Sequence, residues 1–126
     1  MKPVHFIGTS HSNLSSFPAK VRREVGFSVY LAQCGDKAIN TLPLTGFRSA
    51  GVLEVVADHK GNTYRVVYTV GFRHAIYVLH AFQKKSKKGS RTPKHEMDIV
   101  LQRLKVAEQH HEKNYTSKQR EKSKGY

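Results

Sequence analysis

Between residues 52 and 82 three runs of β-branched and aromatic side chains follow one another, with only short turn signals between them. Val52 to Asp58 is the first run, and His59-Lys60-Gly61-Asn62 is a turn in which Gly61 and Asn62 can take positive φ cheaply. Tyr64 to Val70 returns, Gly71-Phe72-Arg73-His74 turns again, and Ala75 to Phe82 is the third run. Connections this short leave no room for a crossover helix, so the three runs form an antiparallel meander. Along the middle run Tyr64, Val66, Tyr68 and Val70 share one face, and Arg65, Val67 and Thr69 share the other. The third run is apolar on both faces, as a well-covered strand is.

The flanks supply the layers that cover this sheet. Val4 to Gly8 reads as a further strand, and Thr9 to Asn13 as a turn. A helix follows, capped by Ser15 or Ser16, with Pro18 tolerated in its first turn and Gly35 as its stop. Its buried face is Val21, Val25, Ser28 or Val29, and Ala32, while Lys20, Arg22 and Arg23 lie mostly on the wet side. Residues 36–51 form a linker with Pro43, Gly46 and Gly51, which packs on the domain through Leu42, Leu44 and Phe47. Gln83 to Lys94 is a basic loop. Thr92 is placed to cap a last helix, with Pro93 in its first position and an apolar stripe of Met97, Val100, Leu101, Leu104 and Ala107. The order β, α, linker, β, β, β, α gives an α+β fold: a small antiparallel sheet of about four strands, helices packed on one face, and the other face or a groove beside the last strand left for a ligand. Hydrophobes nearly vanish from His110 onward, so residues 1–109 are expected to be the domain and 110–126 a charged, flexible tail.

Charge narrows the partners. The chain of 126 residues has 22 Lys and Arg against 9 Asp and Glu, a formal +13, which draws it toward polyanions such as nucleic acid. Cys34 stands alone, so no internal disulfide forms, and there is neither a signal-peptide pattern nor a spanning apolar run; a cytoplasmic protein is expected. None of the eight histidines has metal-ligand spacing, so no metal and no other cofactor is expected. A nucleophile elbow and a phosphate-cradling loop are both missing, and Cys34 at a helix C-terminus is better suited to packing than to thiolate chemistry.

What is left is a basic constellation. Arg65 lies on the middle strand, His80 and Phe82 end the last one, Lys84, Lys85, Lys87, Lys88, Arg91 and Lys94 follow, and His95 opens the helix. RNA brings its own nucleophile, the 2′-hydroxyl. Cleavage then needs that oxygen deprotonated, the pentavalent phosphate stabilised and the 5′-oxygen protonated, which Arg, Lys and His can do without a metal. Blander readings of the same residues stand beside this one. A lysine run is usually a solvated loop, Arg65 could pair with Glu54 or Asp58, His80 could be a satisfied half-buried histidine, and Phe82 could be core.

Several blocks resemble a known family. Gly51-Val-Leu-Glu-Val-Val, Tyr64-Arg-Val-Val-Tyr-Thr-Val, Ile76-Tyr-Val-Leu-His-Ala-Phe-Gln-Lys-Lys-Ser-Lys-Lys-Gly and Thr92-Pro-Lys-His-Glu-Met-Asp-Ile are similar to the phage-derived branch of the RelE/HigB toxins, over roughly residues 3 to 110. The resemblance implies a RelE-like fold and a toxin of a type II toxin–antitoxin system, a ribosome-dependent endoribonuclease that cleaves messenger RNA and inhibits translation. Arg65, Lys84 and Lys85 then fall at catalytic positions, with His80 and His95 as the possible acid or base. Phe82, Lys87, Lys88, Arg91 and Lys94 become contacts to messenger or ribosomal RNA. The implied partners are messenger RNA, the ribosome and a HigA-like helix-turn-helix antitoxin. The lysines that some members carry on the second strand are missing; that strand offers Glu54. Three alternatives remain open: a ParE-type inhibitor of DNA gyrase, a non-catalytic RNA- or ribosome-binding module, and a structural partner that only titrates a repressor.

Overall fold

The computed structural model describes residues 1–47, 51–84 and 92–116. The elements run β1 (Val4–Phe6), α1 (Ser10–Ser15), α2 (Ala19–Gln33), β2 (Thr41–Pro43), β3 (Val52–His59), β4 (Asn62–Thr69), β5 (Ile76–Lys84) and α3 (Lys94–His111), with a π-helical turn over Glu112–Thr116. The sheet order is β1-β5-β4-β3-β2. β2 to β5 pair antiparallel and β1 joins β5 in parallel. This is the α+β, RelE-like architecture expected from the sequence.

Each hairpin of the meander has a local cause. Lys60 and Gly61 both have positive φ, +50° and +81°, so the two-residue turn between β3 and β4 twists with the strands. The residue beside Gly61 in the left-handed region is Lys60 rather than Asn62, which pairs with His59 in the ladder. Between β4 and β5 the register slips: Val67 faces His80, but Tyr68 faces Val78, leaving Leu79 as the extra residue of a bulge. Strict alternation would have put His80 on the face of Val78. The bulge turns it to the face that carries Arg65 and Phe82.

The two faces hold two cores. Phe17, Val21, Val25, Val29 and Ala32 of the α2 layer pack on Val55, Val66, Tyr68 and Val78. Val100, Leu104 and Ala107 of α3 pack on Val67, Tyr77, Leu79 and Phe82. The helices are therefore shared between both faces rather than lying all on one. The α2 stripe is the one read from the sequence. The α3 stripe is Val100, Leu104, Ala107 and His111, while Leu101 is about half exposed. The helix thus runs past residue 109, and His111, assigned from sequence to the tail, is buried. Residues 117–126 lie outside the described residues.

Two short elements escape the sequence pattern. α1 forms where a turn was expected, with Ser12, Ser15 and Ser16 hydroxyls donating to the carbonyls of Thr9, His11 and Asn13. Tertiary contacts hold this polar segment: the buried Ser10 hydroxyl donates to the Val78 carbonyl at 3.1 Å and Leu14 packs against the core. β2 is an edge strand inside the expected linker, kept short by Pro43. Cys34, expected to pack, is exposed at the end of α2.

Candidate functional site

On the α3 face, β3 contributes Glu54 and β4 contributes Arg65. Arg65 pairs with Val56, so Glu54 sits diagonally two residues away on the same face. Arg65 Nη1 donates to Glu54 Oε1 at 3.1 Å, and the two side chains are 7% and 9% exposed. The other Glu54 oxygen accepts from Thr92 Oγ1 at 2.8 Å. Thr92 is thus spent on Glu54 and caps nothing; Pro93 occupies the N-cap of α3, where no side chain bonds to the helix. The pair forms the floor of a cleft of about 980 Å³, lined also by Pro43, Leu44, Thr92, Lys94 and Met97.

Lys84 ends β5 next to this floor. Its ammonium is pushed below the usual lysine value first by loss of solvent and then by the charge of Arg65, against the pull of Glu54. Two cations and one carboxylate therefore share one corner of the sheet. Lys94 is exposed and reaches Asp98 at 3.2 Å, a surface pair of small worth. Lys85, Lys87, Lys88 and Arg91 lie outside the described residues.

His80 belongs to a second cleft, of about 580 Å³, which Glu96, Asn13 and Gln83 help to line. Its Nε2 lies 2.6 Å from Glu96 Oε1, and its Nδ1 lies 3.3 Å from Arg103 Nη1. A guanidinium only donates, so Nδ1 must accept and the ring proton sits on Nε2, facing the carboxylate. Burial lowers the His80 pKa, and Arg103 and His95 push the same way against the opposing effect of Glu96. The contact with Glu96 is therefore a hydrogen bond from a neutral imidazole, not an ion pair, at neutral pH. Phe82 is buried under α3 and stacks on His80, with centroids 5.0 Å apart and planes at 26°. One ring face is thus already covered. His95 is exposed at the start of α3.

Two residues of this region were not singled out from the sequence as functional. Glu54 was noted as a possible partner of Arg65 and as what its strand offers in place of lysines. Its signal was a carboxylate in the apolar half of a strand, two residues out of register with an arginine on the neighbouring strand. Arg103 carried no signal. It donates to the Leu79 carbonyl and to Thr9 Oγ1, both at 3.0 Å, and so ties α3 to the bulge and to the β1–α1 connection. Gly8 makes room for it: a Cβ there would stand 2.8 Å from Arg103 Nε.

Residues 12–105, from α1 to the last third of α3, match the family of phage-derived Gp49-like proteins (DUF891). The chain belongs to that family. Gp49-like proteins are associated with toxins of toxin–antitoxin pairs of the RelE/HigB kind. Every residue of both clefts named above lies inside the matched span of this Gp49-like chain. Comparison with curated proteins gives no match. Among the described residues no helix is long and apolar enough to cross a membrane, and no three His, Cys, Asp or Glu side chains are placed to hold a metal ion.

Proposed function

We propose that this chain is the toxin of a toxin–antitoxin pair and cuts messenger RNA on the ribosome without a metal. The observation that carries this reading is the Arg65–Glu54 pair on the floor of a large cleft with Lys84 beside it. A ribose-phosphate chain entering the cleft competes with Glu54 for the Arg65 guanidinium, whose planar fork fits phosphate oxygens. Glu54, released from that contact, takes the proton of the 2′-hydroxyl. The 2′-oxygen then attacks phosphorus, the bond from phosphorus to the 5′-oxygen breaks, and a 2′,3′-cyclic phosphate is left. Arg65 and Lys84 stabilise the charge on the phosphoryl oxygens. His95, exposed at the start of α3, is the acid that delivers a proton to the departing 5′-oxygen. His80, with both nitrogens occupied and its ring held neutral, positions β5 and the start of α3.

The partners under this reading are the ribosome, messenger RNA and an antitoxin of the helix-turn-helix type that covers the basic cleft. Mapping of RNA 5′-ends after brief expression tests it. New ends inside translated messages are expected, absent in Glu54→Gln and strongly reduced in Lys84→Ala. Growth arrest without new ends, accompanied by loss of supercoiling, replaces this reading with gyrase inhibition. Ribosome binding without new ends replaces it with a binding module.

A further inference from the structure

The end of β5 remote from Lys84 carries a separate cluster. His5 of β1 lies opposite Tyr77 of β5 in the parallel ladder. The last turn of α3 and the π-helical turn pack over them. His5 Nε2 lies 2.6 Å from Tyr115 Oη, and Tyr77 Oη lies 2.7 Å from His110 Nδ1. From the β4–β5 turn, the His74 backbone N–H donates to His111 Nε2 at 3.3 Å. The His111 ring lies between Phe72 and Tyr115, with centroids 5.1 Å from each, and is stacked on His74 at 5.5 Å. His5 and His110 are 4.6 Å apart.

We propose that His5 and His111, packed against His74 and His110, form an acid-operated latch, which docks the end of α3 and the following turn on the sheet at neutral pH and releases them when the His5 and His111 imidazoles charge. The decisive contact is at His111. A backbone N–H can only donate, so His111 Nε2 must be unprotonated in the docked state. A charged ring has no acceptor left and loses that bond. His111 is also 9% exposed, so its charge would be formed largely out of water.

The surrounding charges add to the effect. From β1 comes His5, and from the segment before it Lys2, whose Nζ donates to the Phe72 carbonyl at 3.2 Å. From the turn comes His74, from α3 His110, and from the segment after it Glu112 and Tyr115. Glu112 is the acid whose charge favours protonated His111, while His74, His110 and His5 oppose it. Tyr77, pushed up to about 12 by burial and then by Tyr115, stays a neutral hydroxyl throughout. Burial first, and neighbouring histidines second, hold His5 and His111 below the ordinary imidazole value of 6.5. The docked state therefore binds fewer protons than the released one. Docking is at full strength above that ordinary value and weakens as pH falls through it toward the depressed values, about tenfold for each group displaced by one pH unit.

Nuclear magnetic resonance of the full chain between about pH 7.5 and pH 5 tests the latch, because histidine alone among ordinary side chains titrates in that window. Amide signals of residues 110–115 should move to unstructured positions in step with the His111 imidazole, while those of 64–82 keep theirs. His111→Gln, whose side-chain carbonyl can still accept from the His74 N–H but which binds no proton, should hold the segment docked to lower pH. If that variant fails to fold, His5→Gln serves, and its release midpoint should fall below that of the parent chain. The latch is refuted if residues 110–115 stay docked with His111 charged. It is equally refuted if the sheet signals collapse in the same step, or if the folded variants release at the parent pH.

Discussion

Breaking the buried pair at the cleft floor should cost unequal amounts depending on which partner goes. Arg65 and Glu54 are both more than nine-tenths buried as side chains. Removing one member of such a pair strands a charge out of water and typically costs about 3–5 kcal/mol, whereas replacing both with apolar groups is often neutral or stabilising. Lys84 breaks the symmetry, because it is repelled by Arg65 and attracted by Glu54. Arg65→Met leaves Glu54 with Thr92 and with a cation close by, so its cost should fall at the low end of that range. Glu54→Leu removes the carboxylate that offsets the repulsion between Arg65 and Lys84, so its cost should fall at the high end. The double variant should come within about 1–2 kcal/mol of the parent. Equilibrium urea unfolding measures all four chains. With a slope of about 1.5 kcal/mol per molar, a 3 kcal/mol loss moves the midpoint by roughly 2 M. The reasoning fails if either single change costs less than about 1 kcal/mol, or if Arg65→Met is the more damaging of the two. The same numbers bear on function. Loss of toxicity in Arg65→Ala alone would mix chemistry with instability, while the double variant separates them, being folded yet without the pair.

Other consequences follow from single contacts. Glu96→Gln removes the carboxylate that supports a proton on His80, so the His80 titration midpoint should move further down; an upward move would contradict the arrangement. Gly8→Ala combines a φ of +60° with a close approach to Arg103 and should cost about 1–2 kcal/mol in chemical unfolding, with Arg103→Ala relieving part of that loss. The hydroxyls of Tyr68 and Thr41 are buried without a hydrogen bond of normal geometry, and burial raises the Tyr68 pKa. Tyr68→Phe should therefore leave stability within about 1 kcal/mol of the parent, and a loss above about 2 kcal/mol would show that the hydroxyl is well bonded.

Of the basic constellation read from sequence, Arg65, Lys84 and Lys94 are among the described residues, with Lys85, Lys87, Lys88 and Arg91 outside them. The expectation was a pocket of fixed positive charge between the sheet and the lysine-rich loop. Arg65 is there, beside Lys84, but it is buried and held by an acid, so the described corner is two cations about one carboxylate rather than open positive charge. The blander readings of two residues fit their surroundings: Arg65 does pair with Glu54, and His80 is a satisfied buried histidine.

Local rules were enough for the elements whose causes are local. The meander of β3, β4 and β5 follows from turn residues and short spacing, and the buried stripe of α2 follows from a period of 3.6 residues. The strand arginine could be placed on a face by counting in twos. Packing decided what counting could not. The bulge at Leu79 reverses the parity of everything beyond it, and so chooses the face on which His80 stands. Thr92 leaves its capping position for a carboxylate 38 residues away in the chain. His110 and His111 look like a polar tail in sequence, yet they dock because Tyr77, His74 and Phe72 offer them rings and hydrogen-bond partners from distant segments. A residue's own neighbours in the chain set its backbone preference. Its partners across the fold set its charge, its exposure and its chemistry, and these are pairings that a linear string does not contain.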